Sequence, residues 1–277
     1  MFVSVIIPVF NDCDRLMKCL KALYLQTYPY SSYEIIVIDN NSTENIYSVC
    51  KQFPNVRYET ESKQGSYAAR NKGLSVAKGD VVAFTDSDCI PDTDWLTAGV
   101  RALSETNVGL VAGHIQFFSE RDHHSVAEYV DSCIHLQQKV YAQQSYGATA
   151  NVFTWRWMFD KVGLFEEVQS LGDRDFGLKV KAAGFEVIYS PDAIVLHPAR
   201  NLKALLNKVH RTAQGKTYLG WKDALIYLLP QGWLFWRNVV RDRNLPTLAN
   251  KLRFAYLMHY VRWITALKLI QSFIQNQ

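Results

Sequence analysis

Val81-Val82-Ala83-Phe84-Thr85-Asp86-Ser87-Asp88 decides how the rest of the chain is read. Its opening residues are apolar and β-prone, which predicts a short buried strand. The strand ends in two carboxylates one residue apart. In an α/β sheet, ligands gather outside the carboxyl ends of the strands, so Asp86 and Asp88 stand where a ligand is expected. Two acids this close repel one another, and a divalent cation is the simplest way to keep both ionised. A solvated acidic turn, or the cap of a helix starting near Thr93, fits the same eight residues when they are taken alone.

Upstream, the chain alternates between strand and helix. Phe2 to Phe10 predicts a buried strand, and Leu16, Cys19, Leu20 and Leu23 then repeat at helical spacing. Tyr33 to Ile38 is a second apolar strand ending in Asp39. Asn41 with Glu44 three residues later predicts a helix cap with reciprocal support. Val56 to Glu59 predicts a third strand, and Gly65 opens a helix that stops at Gly79. This β-α-β-α-β-α-β order predicts an α/β fold with a mostly parallel central sheet flanked by helices. The second half is less regular: a strand over 108–117, a helix over 124–142, a strand or extended turn over 147–154, a helix over 173–183, and short strands at 185–189 and 194–196.

Composition bounds the function classes. The 277 residues are 48% hydrophobic and 20% charged, ordinary for a globular chain, and the net charge is +4. That total conceals a contrast. Residues 200–277 hold thirteen Lys/Arg against two Asp/Glu, whereas residues 1–199 hold seventeen against twenty-four. A basic, aromatic-rich end on an acidic body points to an anionic surface. The five cysteines lack metal or disulfide spacing, so a reducing cytosol is expected. Met1 leads straight into strand-like sequence with no signal-peptide pattern, and the longest uncharged run, 224–236, is too short and broken to span a membrane. There is no G-x-G-x-x-G, H-E-x-x-H or G-x-S-x-G motif, and no nucleic-acid-binding module.

Several residues carry candidate chemistry. Asp39, at a strand end, can accept hydrogen bonds from a base imide or a ribose, and equally can cap a helix. Arg70, in Gly65-Ser66-Tyr67-Ala68-Ala69-Arg70-Asn71, offers a fork suited to phosphate, or a solvated helix face. Asp173, in Asp173-Arg174-Asp175, starts a helix whose dipole favours the ionised form a general base needs; plain capping is the alternative. His197, ending a short strand before Pro198, can serve as a metal ligand or as a structural histidine.

In this order, the segments Val5 to Asn11, Glu34 to Ser42, Gly65 to Asn71, Asp86-Ser87-Asp88, Ala150-Asn151 with Arg156, and the Asp173 helix resemble the family 2 glycosyltransferases of GT-A fold. The resemblance covers residues 3–200. It implies an inverting transfer from a nucleotide-diphosphate sugar, a UDP-sugar favoured, with Mn²⁺ or Mg²⁺. On the donor side it places Pro8, Phe10 and Ser42 with Asp39 on the base, Arg70 toward the nucleotide phosphates, and Asp86 toward the ribose or a metal-bound water. Asp88 and His197 become metal ligands and Asp173 the base, with Asp175 its rival. Three departures stand out: Gly172 replaces the usual Glu before the base, and at positions that border the acceptor Thr149-Ala150-Asn151 replaces Gly-Ala-Asn and Trp155-Arg156 replaces Arg-Arg. The implied acceptor is a glycan or lipid-linked hydroxyl in bacterial cell-surface polysaccharide or glycolipid synthesis. A sugar nucleotidyltransferase and a non-catalytic membrane adaptor are the competing readings.

The expected domains are a catalytic body over 1–200 and a helical extension over 201–277. The extension intersperses Tyr218, Trp221, Trp233, Phe235, Trp236, Tyr256, Tyr260 and Trp263 with basic residues. Helices lying on an anionic membrane at its cytoplasmic face account for that pattern, and so does a helical cap or oligomer interface.

Overall fold

The computed structural model describes residues 1–121, 125–168, 170–215 and 221–275; His123, His124 and Tyr218 lie outside them, as does the side chain of Trp221. The elements follow in order: β1 (Val3–Val9), α1 (Cys13–Leu23), β2 (Tyr33–Asp39), α2 (Ile46–Cys50), β3 (Val56–Thr60), α3 (Ser66–Val76) and β4 (Val81–Thr85). Next come β5 (Ile90–Pro91), α4 (Trp95–Leu103), β6 (Val108–Phe118), α5 (Val126–Ile134), α6 (Gln138–Gln143) and β7 (Asn151–Trp155). The chain ends with α7 (Arg156–Val162), α8 (Gly172–Ala182), β8 (Glu186–Pro198), α9 (Leu202–Gly215), α10 (Trp221–Leu228), α11 (Trp233–Arg241) and α12 (Leu248–Gln275).

Two compact units result: Met1–Phe117 with Leu136–Pro198, and Phe118–His135 with Ala199–Gln277. The first is built on one eight-stranded sheet, order β3-β2-β1-β4-β7-β6-β8-β5. Pairing is parallel through β3, β2, β1 and β4, then antiparallel from β4 to β7 and from β7 to β6. The expected α/β class holds, with the parallel character confined to the half whose strands alternate with helices.

The inner parallel strands β1, β2 and β4 are mainly apolar because both faces are covered, whereas the edge strand β3 carries Arg57 and Glu59 and is only half-buried. Along β1, Val3, Val5, Ile7 and Val9 face one cluster with Leu16, Cys19, Leu20 and Leu23 of α1. Ile6 faces the other, with Ile36, Ile38, Ala69, Val82 and Phe84. The alternation is the period-2 geometry of a strand meeting the 3.6-residue repeat of a helix. From β1 the chain moves to β2 on one side, and α3 later returns it to β4 on the other. That reversal of strand order opens a crevice beyond the carboxyl ends of β1 and β4. Pairing of β1 with β2 runs on to Val9–Asp39, but with β4 it stops at Ile6–Phe84. Pro8, which has no N–H to offer a neighbour, sits where that second ladder has ended.

Three local expectations are corrected. The single helix expected over 124–142 is two helices among the described residues, α5 and α6, separated at Leu136, whose φ is 53°. The strands expected at 185–189 and 194–196 are one strand, β8. Asn45, not Asn41, caps α2: its side chain accepts from the Ser48 N–H, while Asn41 takes a left-handed φ of 67°.

The second unit is helical. Ala127 and Val130 of α5 pack with Leu205 and Val209 of α9, Val239 of α11, and Phe254, Leu257, Val261 and Ile264 of α12. Buried Asp131 ties its two chain segments together, accepting from the Arg200 backbone N–H at 3.0 Å and holding the His135 ring at 2.7 Å.

Candidate active site

The loops after β1, β2 and β3 are laced together by short polar side chains. Asp39 is buried at the end of β2; its Oδ1 accepts from the Ser42 N–H and its Oδ2 from the Tyr58 hydroxyl, both at 2.9 Å. Burial and the hydrogen bond to Asp39 push the Tyr58 phenol up to about 12. Ser42 Oγ accepts from the Asn11 N–H, and Asn11 Oδ1 in return accepts from the Thr43 and Glu44 N–H groups. Asn40 donates to the Glu61 and Lys63 carbonyls and accepts from the Gly65 N–H. Gly65 has φ 137°, a backbone state open chiefly to glycine, and α3 starts from it. Pro8 is buried in β1, whereas Phe10 at its end is 56% exposed.

α3 brings Arg70 to the end of β4. The guanidinium is buried and its Nη2 lies 2.5 Å from Asp86 Oδ1. Its Cζ stands 5.5 Å from the centre of the Tyr67 ring, one turn earlier on the helix. Arg70 Nε is buried with no hydrogen-bond partner. The geometry thus gives Arg70 a carboxylate partner, Asp86, beside whatever the crevice holds.

Asp88 meets His197 through the pairing of β5 with β8, Ile90–Leu196 and Pro91–Val195. His197 is buried; its Nδ1 donates to the Pro198 carbonyl at 2.8 Å, and Nε2 lies 3.8 Å from Asp88 Oδ2. That bond fixes the tautomer with the lone pair on Nε2, the form a metal needs. Asp88, Cys89 and His197 offer ligand atoms within 4.8 Å of one another. The Cys89 thiol is fully buried and held protonated by that burial, with the charges of Asp88 and Asp86 adding to it. A neutral thiol is a poor partner for a hard cation, so the donor set that fits Mn²⁺ or Mg²⁺ is carboxylate plus imidazole. Asp12, absent from the sequence reading, also reaches this place. It precedes α1 but makes no capping hydrogen bond; its Oδ2 is 3.5 Å from Ser87 Oγ. Burial, opposed by Arg15 and reinforced by Asp88, pushes its carboxyl up to about 6.

Asp173 and Asp175 both fall in the first turn of α8 but differ in partners. Asp175 holds Lys179 at 2.7 Å. Asp173 Oδ1 accepts from the Arg174 N–H, and the buried Tyr67 lies beside it. The Tyr67 phenol is raised, by burial first and by the Asp173 charge second. Gly172 explains its own identity: a Cβ there would stand 2.9 Å from the Glu166 carbonyl oxygen and 3.0 Å from the Tyr67 ring. Tyr67 was missed in the sequence, although its spacing to Arg70 puts both on one helix face. Asn151 proves to be a buried hub, accepting from Trp95 Nε1 and donating to the His114 and Ala193 carbonyls. Arg156 donates to the Gly79 carbonyl.

Four groups therefore stand on the ends of successive elements: Asp39 with Ser42, Asp86 with Arg70, Asp88 with His197, and Asp173 with Tyr67. Comparison with known proteins identifies the family. Residues 4–162 match the model of glycosyl transferase family 2. Glycosyltransferase AglE of Haloferax volcanii is 36% identical over 231 residues, 81% of this chain and 76% of that protein. A dolichyl N-acetyl-α-D-glucosaminyl phosphate 3-β-D-2,3-diacetamido-2,3-dideoxy-β-D-glucuronosyltransferase of Methanococcus voltae is 25% identical, over 84% of this chain and 79% of its own. Among solved structures, the Pyrobaculum calidifontis mannosyltransferase PcManGT, in complex with GDP-Man and Mn²⁺, superposes with a TM-score of 0.63 at 19% identity, covering 99% of this chain and 75% of that one. S. aureus TarS residues 1–349, in complex with UDP-GlcNAc, gives 0.58 at 16% identity, covering 100% and 93%. At these identities the structures speak for the fold, and the family match and AglE speak for descent: the chain belongs to glycosyl transferase family 2 and is a glycosyltransferase.

Proposed function

We propose that this glycosyltransferase moves a sugar, with inversion, from a nucleotide-diphosphate sugar to a hydroxyl of a glycan or lipid-linked acceptor. The observation that carries the reading is the first turn of α3, where Arg70 holds Asp86 and Tyr67 stands at Asp173. One rigid turn thus supports a donor-side carboxylate and the candidate base together. Asp39 retains lone pairs for a base imide, with Pro8, Phe10 and Ser42 around it. Asp86, held by Arg70, accepts from a ribose hydroxyl. Asp88 and His197 would hold Mn²⁺ or Mg²⁺, which when bound supplies positive charge to the departing diphosphate. Asp173, at the positive end of α8, takes the proton of the acceptor hydroxyl, whose oxygen attacks the anomeric carbon from the face opposite the diphosphate. Asp175 is the weaker candidate because Lys179 occupies it.

A UDP-sugar is our preferred donor, and cell-surface polysaccharide or glycolipid assembly the setting, with the chain peripheral on the cytoplasmic face of the plasma membrane. What the relatives hold or act on supports the class: PcManGT is in complex with GDP-Man and Mn²⁺, TarS with UDP-GlcNAc, and the Methanococcus enzyme acts on a dolichyl-phosphate-linked sugar. Calorimetric titration with UDP, GDP, dTDP and CMP, each with and without Mn²⁺, tests it. One nucleotide should bind preferentially and need the metal, and Asp88→Ala should abolish that metal-dependent binding. A folded sample that binds none of the four ends the reading.

A further inference from the structure

Helix α12 has two apolar faces, and the second unit's core accounts for one of them. Phe254, Leu257, Val261 and Ile264 are buried against α5, α9 and α11. On the other side Leu248, Leu252, Tyr256, Tyr260, Trp263 and Leu267 are exposed, Leu248 at 73% and Tyr256 at 71%. Their steps of four, four, four, three and four residues place them within an arc of roughly 120°, as one unbroken stripe about 28 Å long. The Tyr256 and Tyr260 rings lie parallel at 6.1 Å along it. Beside the stripe, Trp236 of α11 sits 6.2 Å from His259, and Trp233 of the same helix is 76% exposed.

The charges bordering these residues have one sign. Neither α11 nor α12 contains an Asp or Glu, while Arg237, Arg241, Lys251, Arg253, Arg262 and Lys268 are spread over them. A second copy of this chain would bring like charge to like. A bilayer rich in anionic lipid brings the opposite charge together with an apolar interior, and Trp and Tyr favour its headgroup zone. No described helix is long and apolar enough to cross a membrane, and α12 is already buried along its other face.

Resting on the peripheral placement proposed above, we infer that α12 lies in the plane of an anionic membrane, with the stripe from Leu248 to Leu267 sunk to the level of the acyl chains and the arginines and lysines at the phosphates. The apolar stripe provides the depth and the basic residues provide the selectivity for lipid charge. A glycan carrier embedded in the same leaflet would then be presented to an enzyme already held at its surface.

Flotation of the full chain with vesicles tests this. Phosphatidylcholine vesicles containing about 30% phosphatidylglycerol should carry the protein at low salt, and pure phosphatidylcholine should carry it at least about tenfold less well. The triple substitution Leu252→Ser, Tyr256→Ser, Leu267→Ser replaces exposed residues only and should weaken flotation about tenfold or more, with nucleotide affinity unchanged. Unchanged hydrogen exchange of the α12 amides reports an intact helical unit, and unchanged nucleotide affinity separates the two proposals, because the donor site can stand while the membrane face fails. No flotation of protein that still binds nucleotide overturns the inference, as does binding indifferent to lipid charge or to the triple substitution. A concentration-dependent dimer in light scattering that the triple variant dissolves would give the stripe to a second copy and overturn it as well.

Discussion

Removing the Arg70 guanidinium should cost more than an ordinary ion pair, and the cost should be shared with Asp86. The Arg70 side chain is 4% exposed and that of Asp86 32%. With charge centres near 4 Å and an effective dielectric near 20, the attraction is about 4 kcal/mol. Desolvation of the buried cation offsets roughly half of that, which leaves a coupling of about 2 kcal/mol. The contact of Arg70 with Tyr67 adds roughly 0.5–1 kcal/mol. Arg70→Met should therefore destabilise the sheet unit by about 3 kcal/mol and Asp86→Asn by about 2 kcal/mol. The double variant should lose only about 3 kcal/mol, because the second change removes a partner already deprived of its charge. Because the chain forms two units, a global melt is not a two-state measurement; hydrogen exchange of the core amides of β1 and β4 reads the sheet unit alone. Nucleotide affinity should fall in both single variants and no further in the double. Stabilities that add to within ~0.5 kcal/mol would refute the claim that this pair is what sets Asp86 in place.

Other outcomes follow from the same geometry. Asp173→Asn should lower transfer by roughly 10²–10⁴-fold while nucleotide affinity stays unchanged, and Asp175→Asn should do little by comparison; the reverse pattern in acceptor-dependent product release would move the base to Asp175. Gly172→Ala, forced against the Glu166 carbonyl and the Tyr67 ring, should cost the sheet unit about 1–3 kcal/mol in hydrogen exchange of its core amides, and unchanged exchange would mean that the turn yields freely. Asp12 has its folded pKa raised, so ionising it opposes folding: stability should fall as pH rises from about 4 through about 6. The full shift corresponds to roughly 3 kcal/mol, reduced to about 1 kcal/mol by partial solvent exposure. In chelator, Asp12→Asn should therefore be the more stable chain at pH 7.5 and should lose that advantage by pH 4; equal stabilities throughout would contradict it.

How far the sequence could be read depended on where each residue's partner lay. β1, β2 and β4 were legible because strands covered on both faces become continuous apolar runs, and the acids that end β2 and β4 mark their carboxyl ends without any tertiary knowledge. The break between α5 and α6 was not legible, since no Gly or Pro marks it. Buried Gln138 fixes it instead, by donating to the carbonyls of Ala148 and Asn151. The continuity of β8 across Pro191 is not legible locally, since proline ordinarily interrupts a strand, and its pairing with β5 is confined to Val195 and Leu196. A proline outside that ladder costs no hydrogen bond to β5. Asn41 suits a helix cap and a left-handed turn equally well by residue type, and the bonds that Asn11 Oδ1 accepts from the Thr43 and Glu44 N–H groups, with Asn45 accepting from Ser48, decide for the turn.

The site shows the same division more sharply. Asp86, Asp88, Asp173 and His197 each announce themselves by standing at the end of an element, but nothing local says what holds them. Arg70 lies sixteen residues before Asp86, and Tyr67 more than a hundred before Asp173. Both supports sit on one face of α3, at a spacing of three. That arrangement also gives physical sense to the departure at position 172. A side chain there would need the space that the Tyr67 ring and the Glu166 carbonyl now fill. The Tyr67 ring thus packs where a side chain at 172 would stand, so its place beside Asp173 depends on the glycine. A smaller residue at 67 should therefore recover only part of the cost of a side chain at 172, because the Glu166 carbonyl stays in its way. The position of Asp173 then depends on packing between two helices as much as on the turn that carries it.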